Sequence, residues 1–137
     1  MNRVFYEPQN DENLPPVRKH AGDAGLDLTI QEDVVIEPGS TAYLPTYVRF
    51  ELEPNMCVEI LTRSSTFKKG VVVTPTIVDS QYTGYVSTIV TNNHVYPVTI
   101  EKGTRLAQAI LHRYYLFDNE TESKEIRNDK KFGSSGK

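Results

Sequence analysis

Apolar residues fall in short bursts along this chain, each closed by turn-forming residues, and no stretch keeps a sustained helical spacing. β-branched and aromatic runs predict strands over 3–7, 26–30, 34–36, 42–44, 48–52, 56–61, 71–73, 76–78, 85–91 and 105–115. Pro38-Gly39, Glu53-Pro54-Asn55 and Lys102-Gly103 punctuate them. Many short strands with regular breaks predict an all-β barrel or sandwich of jelly-roll-like order. No internal repeat is found.

Two stretches depart from that rhythm. In Arg63-Ser-Ser-Thr-Phe-Lys-Lys-Gly70 a serine can cap one short helix, two lysines sit in its last turn and glycine follows as a stop. Such a helix start, with Arg63 beside it, can hold a phosphate, or it can be a plain surface turn. After Leu111 the pattern fades into Tyr114-Tyr-Leu-Phe117 and then a polar run. The expected division is a β domain over 1–117 and a flexible C-terminal arm over 118–137. The Gly-Ser-Ser-Gly of that arm reads as a linker, but Arg127 and Phe132 supply parts that can wrap a phosphate chain and lie over a base.

Composition narrows the function. The 137 residues suit one domain, and no apolar run has the length of a membrane span. No apolar signal core opens the chain, so a cytoplasmic protein is expected. The single cysteine, Cys57, gives neither a disulfide framework nor a thiolate metal site and suits a reducing compartment. A net charge of −3 disfavours a nucleic acid held by its backbone, while leaving room for a small anion bound locally.

The stretch with the most chemistry is Thr76-Ile-Val-Asp-Ser-Gln-Tyr-Thr-Gly84, which sets one carboxylate between a β-branched run and an aromatic turn. The flanking strands predict a hairpin from Asp79 to Gly84, with Asp79 as the candidate catalytic base. Asp79 and Ser80 as simple turn formers is the competing reading.

In order, Ala24-Gly-Leu-Asp-Leu28, Arg63-Ser-Ser65, Val78-Asp-Ser-Gln-Tyr-Thr-Gly84, Gly103-Thr-Arg-Leu-Ala-Gln108 and Arg127…Phe132-Gly-Ser-Ser-Gly136 resemble the five motifs of the trimeric dUTP pyrophosphatases, the dUTPase family. The resemblance runs from about residue 21 to the C-terminus. It implies magnesium-dependent hydrolysis of dUTP to dUMP and pyrophosphate, which keeps uracil out of DNA, in a homotrimer whose three active sites are each assembled from three chains. By the same resemblance Asp79 activates the attacking water and Tyr82 packs under the deoxyribose, while main-chain groups near Thr76 and Ser87 read uracil. Arg63, Ser64, Ser65, Gln108, Arg127, Ser134 and Ser135 would meet the phosphates, with Phe132 and Gly133 closing over the base. Asp27 and Arg105 would be supporting groups or a buried ion pair. Magnesium would ride on the phosphates and waters, with Asp27 a candidate neighbour of the ion. His20, His94 and His112 are expected to be structural or surface groups.

This chain departs from the family pattern at Thr62, at Pro75, and at Asn128 and Lys131, which stand where arm glycines are expected. Two relatives of function compete: a dCTP deaminase-like enzyme and a non-catalytic nucleotide-binding regulator. The first needs a carboxylate on the strand after Gly84, and Val86-Ser-Thr-Ile-Val-Thr91 offers none. Zinc deaminases lack support, since no cysteine pair exists to hold the metal.

Overall fold

Strands β1 (Arg3–Tyr6), β2 (Leu26–Thr29), β3 (Val34–Ile36), β4 (Thr41–Glu51) and β5 (Met56–Thr62) lead into a 3₁₀ turn, Thr66–Lys69. Strands β6 (Val71–Val73), β7 (Thr76–Asp79), β8 (Val86–Asn92), β9 (Val98–Ile100) and β10 (Arg105–Arg113) follow. This is a computed structural model, and it describes residues 1–123.

The strands pair in two four-stranded antiparallel sheets, β1-β4-β8-β6 and β2-β10-β5-β7, with β3-β9 as a small third ribbon. The jelly-roll-like all-β fold expected from the strand rhythm is therefore the one present. Each strand turns alternate residues inward, so Val58, Ile60 and Val78 meet Val86, Val90 and Val48 in the space between the sheets. Truncating a fully buried member such as Leu106 to alanine would cost about 2–5 kcal/mol.

Three expectations need correction. The two runs expected at 42–44 and 48–52 are one strand, β4, bent by a register shift between Pro45 and Val48. Tyr47 inside that bulge takes a left-handed φ of 58°, and the Thr46 hydroxyl donates to the Val86 carbonyl at 2.7 Å. Second, the Asp79–Gly84 segment is not a hairpin. β7 pairs with β5 while β8 pairs with β4 and β6, so residues 80–85 form a corner that carries the chain from one sheet to the other. Adjacent strands in sequence pair often but not always, and here β7 completes the edge of the opposite sheet. Third, the short helix is a 3₁₀ turn; Ser65 occupies its cap position without a capping side-chain hydrogen bond. The stop is as expected, with Gly70 left-handed at φ 77°. The arm residues Arg127, Asn128, Lys131, Phe132, Gly133, Ser134 and Ser135 lie outside the described residues.

Candidate active site

The candidate residues collect at two ends of the sheet β2-β10-β5-β7. At the first end Asp79 closes the edge strand β7, exposed, in register with Cys57 of β5, which in turn faces His112 of β10. The Cys57 thiol has its pKa pushed up, first by burial and then by the carboxylates of Glu59 and Asp79. It therefore stays an uncharged neighbour of the candidate base rather than a competing nucleophile. The corner that follows is tightly made. The Tyr82 amide donates to the Asp79 carbonyl at 3.1 Å, closing the turn. The Tyr82 ring is buried, and its hydroxyl donates to the Tyr85 carbonyl at 3.0 Å. Gly84 permits this, because a Cβ there would lie 2.5 Å from the Tyr82 hydroxyl oxygen and 2.8 Å from Cζ.

Thr76 and Ser87 flank the corner in opposite sheets. The Thr76 hydroxyl is buried with no hydrogen-bond partner among the described residues. Ser87 stands opposite Pro45, which has no N–H to offer the ladder, and β6 pairs only with Val90–Asn92 further along β8. The backbone at Ser87 is thus among the less committed parts of β8.

The second end is electropositive. Asp27, buried on β2, is in register with Gln108 of β10, which is in register with Leu61 of β5. Its Oδ2 lies 3.2 Å from Arg63 Nε and 3.8 Å from the nearer nitrogen of Arg105. Arg63 also donates to the Arg105 carbonyl at 2.7 Å, so one carboxylate orients two guanidinium groups and the ion-pair role expected for Asp27 and Arg105 extends to Arg63. Gln108 donates to the Thr62 carbonyl at 3.0 Å. Gly25 lets the glutamine lie there: a Cβ at 25 would fall 2.0 Å from Gln108 Oε1.

Beside this triad opens a cleft of about 550 Å³ lined by Arg63, Ser65, Lys68, Lys69, Lys102, Gly103, Thr104 and Arg105. Ser64 is exposed next to it. Lys102 is drawn toward Glu12 at 3.8 Å, a loose pair in solvent. Lys68, Lys69 and Lys102 join the candidate binding residues here; for the first two, the basic last turn is the sequence signal. A second cavity of about 160 Å³, between Val4, Phe50, Leu52 and Leu111, touches none of the candidate residues.

Of the histidines, His20 is exposed and His112 lies 3.2 Å from Glu59. His94 stacks on Tyr96, with centroids 4.6 Å apart, and sits against Gly70, where a Cβ would meet its Nε2 at 1.8 Å. His94 thus backs the turn that carries the cleft lysines. Among the described residues no three of His, Cys, Asp and Glu gather as a metal cage. None of the helices there is long and apolar enough to cross a membrane.

The two ends are far apart within one chain. The extended backbone from Cys57, beside Asp79, to Arg63 spans on the order of 20 Å at about 3.3 Å per residue. The structure brings together Asp27, Arg63, Arg105 and Gln108 at one end, and Asp79 and Tyr82 at the other. It does not bring the two groups to each other.

An antiparallel β sandwich with a carboxylate corner at one end of a sheet and a cationic cleft at the other defines the class. The dUTPase family profile matches residues 12–136. The deoxyuridine 5′-triphosphate nucleotidohydrolase of Caldanaerobacter subterraneus is 35% identical over 137 residues, covering 93% of each chain. That of Corynebacterium diphtheriae is 37% identical, covering 92% of this chain and 88% of its own. The Pol polyprotein of caprine arthritis encephalitis virus is 34% identical over 99% of this chain, which spans only 12% of that polyprotein. Among solved structures, the dUTPase of Staphylococcus bacteriophage 80alpha superposes with a TM-score of 0.77 at 21% identity, over 93% of this chain and 99% of that one. The chain belongs to the dUTPase family. Hydrolysis of dUTP, as a dUTP diphosphatase, is the activity that membership carries, and the deaminase-like and regulatory alternatives are not favoured.

Proposed function

We propose that this chain converts dUTP to dUMP and pyrophosphate as a homotrimer, with Asp79 of one subunit activating water against a triphosphate held by the cleft of another. The separation of the two ends is the observation that carries this reading. A general base must come within hydrogen-bond reach of the water it deprotonates, and the phosphate that the water attacks must sit among its donors. On one chain these requirements are ~20 Å apart; a neighbour in a closed ring supplies the missing half.

Each group then has a task its surroundings suit. Asp79, exposed at the end of β7, takes the proton from a water brought within its reach by the substrate. Tyr82, held by Gly84 and the Tyr85 carbonyl, is assigned to pack under the deoxyribose and disfavour a 2′-hydroxyl. Main-chain groups near Thr76 and Ser87 read uracil. Arg63, Ser64, Ser65 and Gln108 meet the phosphates, joined by Lys68, Lys69 and Lys102. The arm over 118–137 closes the site, with Arg127, Ser134 and Ser135 on phosphate and Phe132 and Gly133 over the base.

Magnesium fits this site as a partner of the substrate. Asp27 Oδ2 is already shared by two guanidinium groups, so Asp27 suits a place beyond the ion's waters better than one among its direct ligands. A phage phi11 dUTPase of the same fold, 20% identical, is described as coordinating a structural Mg(II) ion. Magnesium keeps several waters and prefers phosphate oxygens; when bound it would neutralise phosphate charge during the displacement. The single cysteine suits the reducing cytoplasm in which we place the protein.

The test is pyrophosphate release from dUTP, dCTP, dTTP and UTP, with and without magnesium. Release from dUTP alone, dependent on magnesium, is expected. Equal release from all four would remove the pocket assignments, and none would remove the activity.

A further inference from the structure

The corner that carries Asp79 is braced from outside by a network that no catalytic role accounts for. The Tyr85 hydroxyl donates to Glu7 Oε2 in a short hydrogen bond. Glu7 Oε1 accepts from Arg49 Nε at 2.7 Å, and the Arg49 guanidinium lies over the Phe5 ring at 4.2 Å from its centroid and reaches Glu51 at 3.4 Å. The backbone joins in: the Glu7 amide donates to the Tyr47 carbonyl at 2.9 Å. Tyr47 is the left-handed residue of the β4 bulge, and its ring meets Tyr85 edge-on at 6.5 Å and 87°. A side-chain-bearing residue rarely adopts that φ, and such outliers gather where geometry matters for function.

The network ends on Tyr85, and Tyr85 leads to the site. Its carbonyl takes the Tyr82 hydroxyl, while its neighbour Gly84 lies under the Tyr82 ring. Tyr85 is thus held by its phenol from outside and holds Tyr82 by its carbonyl from inside. Surface ion pairs of this kind contribute little to global stability; Tyr85 is 40% exposed and the Glu7 side chain 43%. Five residues gathered around one phenol at the surface need another purpose.

We propose that Glu7, Arg49 and Tyr85 are positioning residues that set the Tyr82 ring and the Asp79 carboxylate, and so govern discrimination between deoxyribose and ribose substrates. The proposal rests on the corner being the nucleoside site. The charged state of the brace agrees with it: hydrogen bonding from Tyr85, then from Arg49, holds the Glu7 carboxyl below the usual carboxylate range. Bonding to Glu7 raises the Tyr85 phenol in turn.

Tyr85→Phe removes one hydroxyl and keeps the ring. The kcat/KM ratio of UTP to dUTP should rise about fivefold, the equivalent of one net hydrogen bond, while thermal unfolding stays close to wild type. Glu7→Gln keeps an acceptor and should fall between wild type and Glu7→Ala. Binding of dUMP and UMP by the same variants gives a readout independent of turnover. Absence of wild-type dUTP hydrolysis would sink the functional reading alone, whereas an unchanged deoxy-to-ribo preference in both Tyr85→Phe and Glu7→Ala would overturn the brace. So would a loss for both sugars in parallel with a fall in melting temperature, which marks a merely structural role.

Discussion

The two ends of the sheet β2-β10-β5-β7 are built to different rules. At the Asp79 end the charge is sparse and the geometry is fixed: a closed turn, a ring seated on a glycine, and a braced tyrosine. At the Arg63 end the charge is dense and much of it uncommitted, with two guanidinium groups steered by Asp27 and three lysines around an open cleft. The difference follows the chemistry each end serves. Proton transfer needs a base within tenths of an ångström of its place, whereas a triphosphate is attracted by summed charge over a wider range of positions.

The largest effect should come from the fixed end. Asp79→Asn keeps the shape of the side chain and surrenders its basicity, so single-turnover hydrolysis of dUTP should fall ~10²–10⁴-fold. Affinity for a non-hydrolysable dUTP analogue, which the charged end supplies, should stay within about threefold. Hydrolysis near the wild-type rate at equal bound nucleotide would remove Asp79 from the mechanism.

Next in size is the joining of the two ends across subunits. Asp79→Asn chains keep a good cleft, and Arg63→Gln chains keep a good base. Refolded together in equal amounts, random trimers should hold a complete site at about a quarter of positions. Activity no greater than the sum of the two separate variants, with mixed trimers verified by native mass spectrometry, would place base and cleft on the same chain.

A smaller effect is expected at the cleft rim. Lys68→Gln with Lys69→Gln should raise KM for dUTP several-fold, by roughly 0.5–1 kcal/mol per lost charge at exposed positions, and flatten its salt dependence, with kcat little changed. A fall in kcat with KM intact would mean that these lysines act on the reacting phosphate.

How much of this was legible in sequence differs between the ends. Strands could be read because apolar alternation and breakers are local, although β9 is only Val98–Ile100 and escaped notice. The merging of two runs into β4 was hidden because the bend uses Tyr47 in a conformation usually left to glycine or asparagine. Two strands that adjoin in sequence suggest a hairpin after Asp79; which strand each pairs with is decided by long-range registers with β5 and β4. At the charged end, motif order pointed to Arg63, Asp27, Arg105 and Gln108, and the fold brought all four together. The brace gave no sequence signal, since Glu7 and Tyr85 are 78 positions apart.

The smallest effect isolates the brace itself, through pH. The Glu7 carboxyl is lowered from an ordinary 4.5, so the stabilisation it contributes is fully present above that value. It should be lost as the pH falls through the lower folded-state value and Glu7 takes up a proton. The Tyr85 phenol is raised from an ordinary 10.0, so its contribution is complete below that value and disappears as the pH climbs through the raised one. Between the two lies a plateau, and Glu7→Gln should be less stable than wild type only there. The difference, a small lowering of the melting temperature, should be seen at pH 7 and shrink as the pH falls through the lowered folded-state value of Glu7. Arg49 bridges the Glu7 and Glu51 carboxylates. Arg49 is held above its ordinary range and stays charged throughout, and Glu51→Gln is the control: its own difference from wild type must be subtracted before the loss is assigned to Glu7. A gap between wild type and Glu7→Gln that is the same at pH 3 and pH 7 would mean that Glu7 acts by packing, and the tight end of the sheet would owe its geometry to Tyr47 and the bulge instead.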